Sequence, residues 1–272
     1  MDGVLVCDKP AGPTSHDVVA LVRRLAGQRR VGHGGTLDPP ATGVLVLALG
    51  RATRLLPFLP TEPKRYLAEV TFGVETDTLD AAAVGAALAG MTGPQQQVPP
   101  MVSAVKVGGE RLYAKARRGE QVERAARPVT VHALDLLEYR PGPAPEAVVD
   151  VRCSGGTYVR SLADDLGRAL GSAAHLAALR RTRVGAFGLD RAHGLDELRA
   201  APIGELLLTP ATAMAGVTAR RLDAGEAAAL AVGRPLAATG QAGPVAAIDR
   251  DGRLVAVVED ERGLARPRVV LA

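Results

Sequence analysis

The sequence has little of what a metal site, a disulfide framework or a base-stacking platform requires. Its 272 residues include two cysteines, three phenylalanines, four tyrosines and no tryptophan. Cys7 and Cys153 are too few for a disulfide framework or a cysteine-rich metal cluster, so we expect no bound metal. The scarcity of aromatics argues against an RNA-binding sheet of the RRM kind, which stacks bases on several aromatic side chains.

Long hydrophobic runs are also missing. The longest apolar stretches, such as residues 44–49, fall far short of the roughly 18 residues that a membrane-spanning helix needs. The first residues carry no basic segment before an apolar one, so we expect no secretory signal and a cytoplasmic protein without membrane contact. The absence of a Gly-x-x-x-x-Gly-Lys-Ser/Thr motif argues against a nucleotide-hydrolysing P-loop.

What is present is the composition of a globular protein. Hydrophobic residues make up 47% of the chain and charged residues 23%, which excludes an intrinsically disordered chain. The predicted helices are residues 15–26, opened by a capping box of Thr14 and Asp17, and a helix after 156–160. The predicted strands are 3–7, 44–49, 65–72, 129–137 and 147–153.

These elements alternate without a regular βαβ period. They favour an α+β fold with a mixed, largely antiparallel central sheet and flanking helices. After residue 218 the pattern changes to a short helix and brief strands, two of them joined at Asp251-Gly252. We therefore predict a large domain of residues 1–218 and a small β-rich module of residues 219–272.

Positive charge is concentrated in residues 101–127. This segment holds seven basic and three acidic residues, and its excess of four equals the net charge of the whole chain, +4. Smaller basic groups lie at residues 23–30 and 180–183. Grouped cations favour a polyanionic partner, because phosphates bound by them release counterions. A nucleic acid is the predicted partner.

Asp38 is the candidate catalytic residue that the pattern itself singles out. It lies in a loop dense in glycine and proline, and Pro39 holds it away from helical geometry. A carboxylate in such a rigid frame can act as a nucleophile or base. An aspartate before a proline is also a common turn former, so the local pattern leaves both interpretations open.

The stretch Gly-His-Gly-Gly-Thr-Leu-Asp-Pro-Pro-Ala-Thr-Gly-Val-Leu at residues 32–45 resembles the signature loop of the tRNA pseudouridine synthases of the TruB type. Further matches follow in the family's order over most of residues 1–185. They are Asp8-Lys9-Pro10, Thr14-Ser15-His16-Asp17, Lys64-Arg65-Tyr66, Thr76-Asp77-Thr78, Ser103-Ala104 with Lys106, Leu112-Tyr113, Arg127-Pro128-Val129, Gly156-Thr157-Tyr158-Val159-Arg160, Asp164-Asp165-Leu166-Gly167 and Leu179-Arg180-Arg181.

The resemblance implies a pseudouridine synthase fold and an activity. The chain would isomerise uridine 55 in the T loop of tRNA, breaking the N1–C1′ bond and forming a C5–C1′ bond on a flipped-out nucleotide. No metal or organic cofactor would take part. Asp38 would be the nucleophile, and Arg160 would pair with it and keep it ionised and oriented.

The same resemblance implies contacts to the target base and to the surrounding RNA. Tyr66 would stack on the base, Tyr158 and Leu179 would line its pocket, and His33 would enter the RNA loop. Further RNA contacts are expected from basic side chains: Lys9, Lys106, Arg117 and Arg118.

Larger segments also receive expected roles. Residues 101–127 would grip the T arm, and residues 219–272 would form a PUA-like module that touches the acceptor stem. We expect a monomer. An alternative hypothesis is a non-catalytic tRNA-binding or tRNA-folding chaperone that uses the same surface.

Three departures from the family pattern are present. Residues 80–101 form a shorter segment than the pattern has, and Val102 replaces a usual aromatic residue. Both changes adjoin the basic segment, so they are expected to affect RNA affinity before they affect the chemistry at Asp38. Pro40 replaces an aliphatic residue and should stiffen the loop.

Overall fold

A computed structural model of the protein describes residues 1–73, 79–101, 103, 106–107, 109–111, 115, 117–120 and 122–271, with the main chain alone at 106, 107 and 111. Several matches to the family pattern therefore lie outside the described residues: Thr76-Asp77-Thr78, Ala104, Leu112-Tyr113 and the side chain of Lys106. Val102, one of the departures from the pattern, lies outside them as well.

The strands of the described part, in chain order, are β1 Gly3–Lys9, β2 Val31–His33, β3 Thr42–Leu49, β4 Lys64–Phe72, β5 Gly93–Gln97, β6 Lys106–Val107, β7 Glu110–Arg111, β8 Arg127–Arg140, β9 Glu146–Cys153, β10 Ala174–Val184, β11 Phe187–Gly188, β12 His193–Gly194, β13 Ala219–Arg221, β14 Leu236–Ala237, β15 Val245–Ile248, β16 Leu254–Glu261 and β17 Leu264–Val270. The α-helices are α1 Ser15–Leu25, α2 Ala81–Gly90, α3 Val159–Ala169, α4 Leu195–Ala200, α5 Pro210–Ala213 and α6 Ala224–Ala231. Short 3-10 helices cover Gly50–Leu55, Leu189–Arg191 and Ile203–Leu206.

The chain forms two compact units. Unit 1 consists of residues 1–39, 43–61 and 185–272, and unit 2 of residues 40–42 and 62–184. In unit 1, four strands form a mixed sheet in the order β12-β1-β3-β2, in which β1 and β12 run parallel and the other pairs antiparallel. The apolar face of α1 packs against one face of β1 and β3, which carries Leu5, Cys7, Leu45, Leu47 and Leu49. The residues between them are buried on the other face, so both strands are almost continuously buried.

The predicted capping box at the start of α1 is confirmed. The Thr14 hydroxyl accepts from the Asp17 amide, and the Asp17 carboxylate accepts from the Thr14 amide. This reciprocal pairing supplies acceptors for main-chain amides that have no partner within the helix, and it fixes where α1 begins.

Unit 2 is built on an antiparallel sheet in the order β10-β4-β9-β8-β5. The helix α3 packs its apolar face, including Val159, Leu162 and Leu166, against the core formed with β4 and β9. With the mixed sheet of unit 1, this arrangement confirms the predicted α+β class with largely antiparallel pairing and flanking helices.

Residues 219–271 belong to unit 1 and form a five-stranded sheet of their own, in the order β13-β15-β16-β17-β14. Leu230 of α6 is buried in the core of this sheet. The predicted turn at Asp251-Gly252 joins β15 to β16, and Gly252 has a φ of +80° there, which favours glycine. The β-rich C-terminal module is thus confirmed, and its boundary at residue 218 stays a prediction.

Candidate active site

Lys9 ends β1, and its side chain is fully buried, with 0% exposure. A buried ammonium requires hydrogen-bond acceptors. The Lys9 Nζ donates to three main-chain carbonyls, those of Pro10 at 2.8 Å, Pro13 at 2.9 Å and Pro39 at 3.1 Å. The first two belong to the turn between β1 and α1, and the third belongs to the residue after Asp38. Lys9 therefore ties this turn to the Asp38 loop.

Ser15, the first residue of α1, makes a second tie to the same loop. Its side chain is 1% exposed. The Ser15 Oγ accepts a hydrogen bond from the Leu37 amide at 2.9 Å and donates one to the Leu37 carbonyl at 3.1 Å. One hydroxyl thus satisfies both main-chain groups of a buried residue, as buried polar groups require.

Asp38 consequently lies between two anchored residues. Leu37 is held by Ser15, and the Pro39 carbonyl accepts from Lys9 and from the Gly12 amide at 2.9 Å. Gly12 has a φ of +107°, a left-handed conformation that glycine adopts without strain. Asp38 itself is partly exposed. The resulting geometry is a carboxylate that remains accessible on a loop with little freedom to move.

The position of Lys9 bears on its predicted role as an RNA contact. An RNA phosphate could reach this ammonium only if the three carbonyl bonds broke and the side chain left the interior. The geometry is that of a residue that positions the Asp38 loop.

His33 ends β2 in the same unit. Its ring packs edge-on against that of His16, with 5.3 Å between the centroids and 83° between the planes. The Gly35 amide donates to the His33 Nδ1 at 3.3 Å, so this nitrogen acts as an acceptor. The imidazole that the resemblance assigns to the RNA loop is therefore oriented by its neighbours.

Tyr66 lies on β4 in unit 2 and is 7% exposed. Its partner across the sheet is Arg181 of β10, which is 2% exposed, and the two side chains are hydrogen-bonded. Burial raises the pKa of Tyr66, and the positive charge of Arg181 opposes that rise. Leu179, two residues earlier on β10, packs against the same core cluster as Tyr66.

Tyr158 and Arg160 lie at the start of α3, with Tyr158 as the residue that precedes its first turn. The buried side chain of Gln97 holds this point. Its Oε1 accepts from the Tyr158 amide at 2.7 Å, and its Nε2 donates to the Tyr158 carbonyl at 3.1 Å. Gln97 therefore fixes the main chain from which both predicted site residues project.

Three residues that contact the predicted site residues or the Asp38 loop were given no role by the sequence. Ser15 and Arg181 stand inside motifs quoted for the resemblance, and Gln97 stands outside all of them. The capping box locates Ser15 at the first helical position, which was the available signal for it. No pattern marks Gln97, because its partner lies 61 residues away.

The structure gathers the predicted residues into two sets. Unit 1 brings Lys9, His33 and Asp38 into or next to one loop. Unit 2 carries the remaining ones: Tyr66 on β4, Leu179 on β10, Tyr158 and Arg160 at α3, and the basic segment. The predicted ion pair of Asp38 with Arg160 joins the two sets and stays a prediction.

Comparison with known proteins identifies the family. A model described as "TruB family pseudouridylate synthase (N terminal domain)" matches residues 23–159. Two further models, "tRNA pseudouridylate synthase B C-terminal domain" and "tRNA Pseudouridine synthase II, C terminal", match residues 160–208 and 218–272. The chain belongs to the TruB family of pseudouridine synthases. This membership confirms the resemblance and the predicted enzyme class.

The TruB family assignment extends over the full length of curated relatives. A protein named tRNA pseudouridine synthase B from Thermobifida fusca (strain YX) is 50% identical, with 100% of this chain and 99% of the relative covered. Its counterpart from Arthrobacter sp. (strain FB24) is 46% identical, with 100% and 97% covered. Among solved structures, a crystal structure of a Cbf5-Nop10-Gar1 complex matches with a TM-score of 0.80 and 28% identity, covering 99% of this chain and 84% of that one.

The basic segment of this TruB family member is partly neutralised by its own carboxylates. Exposed Arg118 bonds Glu110 at 2.7 and 2.9 Å and Glu120 at 2.6 Å, and Lys115 lies 3.8 Å from Glu120. Arg117 is exposed as well. Any phosphate that binds Arg118 must exchange with these carboxylates, which the exposed position allows.

Two observations concern what the described residues do not contain. Within them, no three His, Cys, Asp or Glu side chains are grouped so that they could bind a metal ion. None of the described helices combines the length and apolar character needed to cross a bilayer.

Proposed function

We propose that this TruB family member isomerises uridine to pseudouridine at position 55 in the T loop of tRNA, with Asp38 as the nucleophile. One observation carries the proposal: the residues on both sides of Asp38 are anchored by buried hydrogen bonds from Ser15 and Lys9. Covalent catalysis by a carboxylate depends on such preorganisation, because a well-oriented group reacts as if at very high concentration.

The proposed reaction balances within one nucleotide. Asp38 bonds transiently to the ribosyl-uracil unit, and the N1–C1′ bond breaks. The freed uracil turns, C5 forms the new bond to C1′, and the bond to Asp38 breaks, which returns the carboxylate. The proton on C5 leaves, and N1 is protonated. No redox partner or phosphate donor is needed, and release of the C5 proton provides a direct signal of turnover.

The base must reach the carboxylate outside its stack. Flipping a nucleotide out of a folded RNA loop costs a few kcal/mol, which contacts in the pocket must offset. We assign these contacts to Tyr66, Tyr158 and Leu179, with Arg160 pairing Asp38 and His33 entering the RNA loop. The orientation of His33 by Gly35, and of Tyr158 by Gln97, supports this assignment.

Transfer RNA is the proposed partner on two grounds. The relatives from Thermobifida fusca and Arthrobacter are named for action on tRNA. The excess positive charge of residues 101–127 also suits a polyanion, because each phosphate bound by a cation releases counterions.

The position of the modified base is tested with transcripts. The purified protein is incubated with tRNA that carries tritium at C5 of uridine, and released tritium is counted. A matched transcript with cytidine at position 55 is the control. We expect release from the first transcript and none from the second. Equal release from both would place the reaction at another uridine.

The role of the basic segment is tested by salt dependence. Neutralising Lys115, Arg117 and Arg118 together should flatten the slope of log affinity against log salt by about 2. Neutralising Arg168, an exposed arginine of α3, should leave the slope unchanged. An unchanged slope in the triple variant would remove this segment from the RNA interface.

A further inference from the structure

Arg181 is the most deeply buried arginine among the described residues, and its position is unusual for a guanidinium. Arginine is rarely buried without a partner, since taking the charge out of water is costly. Arg181 lies opposite Tyr66 in the antiparallel pairing of β10 with β4 and is 2% exposed. Its guanidinium is hydrogen-bonded to the Tyr66 side chain.

The surroundings of this pair contain other ionisable groups. The charges of Cys153 and Glu62 raise the pKa of Tyr66, and the charge of Arg181 lowers the pKa of Lys64. Lys64 lies 3.8 Å from Glu62, whose carboxylate also accepts from the Gly155 amide at 2.6 Å. Lys64 and Glu62 thus lie close to each other, and Arg181 is bonded to the hydroxyl of Tyr66.

We propose that Arg181 is a positioning residue for pseudouridine formation, because its buried guanidinium holds the Tyr66 hydroxyl and thereby fixes the ring at the base pocket. The inference rests on the proposed contact between Tyr66 and the target base. The hydroxyl of a tyrosine rotates about its C–O bond unless a partner holds it. A donated guanidinium N–H occupies one lone pair of the oxygen and leaves the O–H with a defined direction.

The electrostatics of the pair supports the same role. Burial raises the pKa of Tyr66, because the charged phenolate is poorly solvated there, whereas the guanidinium favours the phenolate. Burial likewise lowers the pKa of Arg181, and Tyr66 opposes that change. An arginine keeps its charge even under such conditions. Arg181 thus places a permanent positive charge beside an oxygen that adjoins the proposed base pocket.

The kinetic test uses Arg181→Met, Arg181→Lys and a control. Single-turnover tritium release from tRNA and the tRNA dissociation constant are measured in parallel. We expect Arg181→Met to slow release about 10- to 100-fold while affinity stays within about threefold, because the ring is bound but misplaced. Arg181→Lys should recover part of the rate. The control, Arg140→Met, removes an exposed arginine paired with Glu138 and should react at the wild-type rate.

A second readout requires neither RNA nor activity. The chain has four tyrosines and no tryptophan, so ultraviolet titration of tyrosinate is free of an indole background. The difference between wild type and Tyr66→Phe reports Tyr66 alone, and the same difference is taken in the Arg181→Met background. We expect Tyr66 to ionise at higher pH when Arg181 is absent.

The outcomes separate this inference from the proposed function. If tRNA is not modified at position 55 but the titration shifts, the hydrogen-bonded pair stands and the tRNA assignment fails. The positioning role is overturned if Arg181→Met releases tritium at the wild-type rate. It is also overturned if the two titrations coincide, including the case in which neither shows tyrosinate before the protein unfolds.

Discussion

Replacing Ser15 by alanine removes one oxygen atom from the interior of unit 1 and leaves the rest of the side chain in place. That oxygen holds the Leu37 amide at 2.9 Å and the Leu37 carbonyl at 3.1 Å. Without it, two buried main-chain groups next to Asp38 lose their partner. Each such group costs about 1–3 kcal/mol when left unsatisfied, so the anchored form of the loop should be destabilised by about 2–6 kcal/mol.

The expected consequence is a loss of rate larger than the loss of binding. A displacement of about 1 Å at a reacting group can cost about 100-fold, so single-turnover tritium release should fall by about 10- to 100-fold in Ser15→Ala. The affinity for tRNA should change little, since Ser15 is buried and does not face solvent. Release and affinity are measured on the same preparations, with thermal unfolding as a check of folding.

Thr14→Ala is the matched control. It removes the capping box from the same helix start, at a cost of about 1 kcal/mol, but leaves the bonds to Leu37 intact. This variant should lose helix stability and keep most of its rate. Two results would refute the view that the anchoring of Leu37 positions the nucleophile. One is tritium release by Ser15→Ala at the wild-type rate, and the other is an equal loss of rate in Thr14→Ala.

Three further predictions concern stability and reactivity. Lys9→Met should lower the free energy of unfolding in urea by about 2–4 kcal/mol, because three carbonyls lose a charged donor; an unchanged midpoint would contradict the bonding described. Burial raises the pKa of Cys7 to about 12 and of Cys153 to about 11, so at about pH 8 neither thiol should react with a thiol reagent until the protein unfolds. Backbone amides of the 239–240 turn lower the pKa of Asp260, so its charged form stabilises the module above the ordinary carboxyl pKa and this contribution is lost as the pH falls. Asp260→Asn should therefore melt earlier than wild type at neutral pH, and the two melting curves should converge in acid.

Local patterns predicted the elements whose signals are local. The apolar run of β1, the capping box of α1 and the turn between β15 and β16 depend on neighbouring residues, and each was found where the pattern placed it. Composition and alternation were enough to indicate the α+β class. The candidate Asp38 was also visible, because glycine and proline mark its loop.

Elements that depend on distant partners were not predicted. The strand β10 was missed because the charged residues at 180–183 obscure its alternation, although pairing with β4 buries Arg181. The parallel pairing of β1 with β12 joins residues more than 180 positions apart and has no local signal. The burial of Lys9 was hidden for a related reason, since lysine is ordinarily exposed and its acceptors become apparent only when the turn and the Asp38 loop meet.

The central claim is that the anchored carboxylate of Asp38 carries the isomerisation. Its most direct test is Asp38→Asn, which keeps the size of the side chain and removes its charge and nucleophilicity. Tritium release from C5-labelled tRNA is followed in a single turnover, with the dissociation constant measured alongside. The account predicts no release by the variant at an affinity close to that of wild type. Release by a correctly folded Asp38→Asn protein at a rate near that of wild type would contradict it.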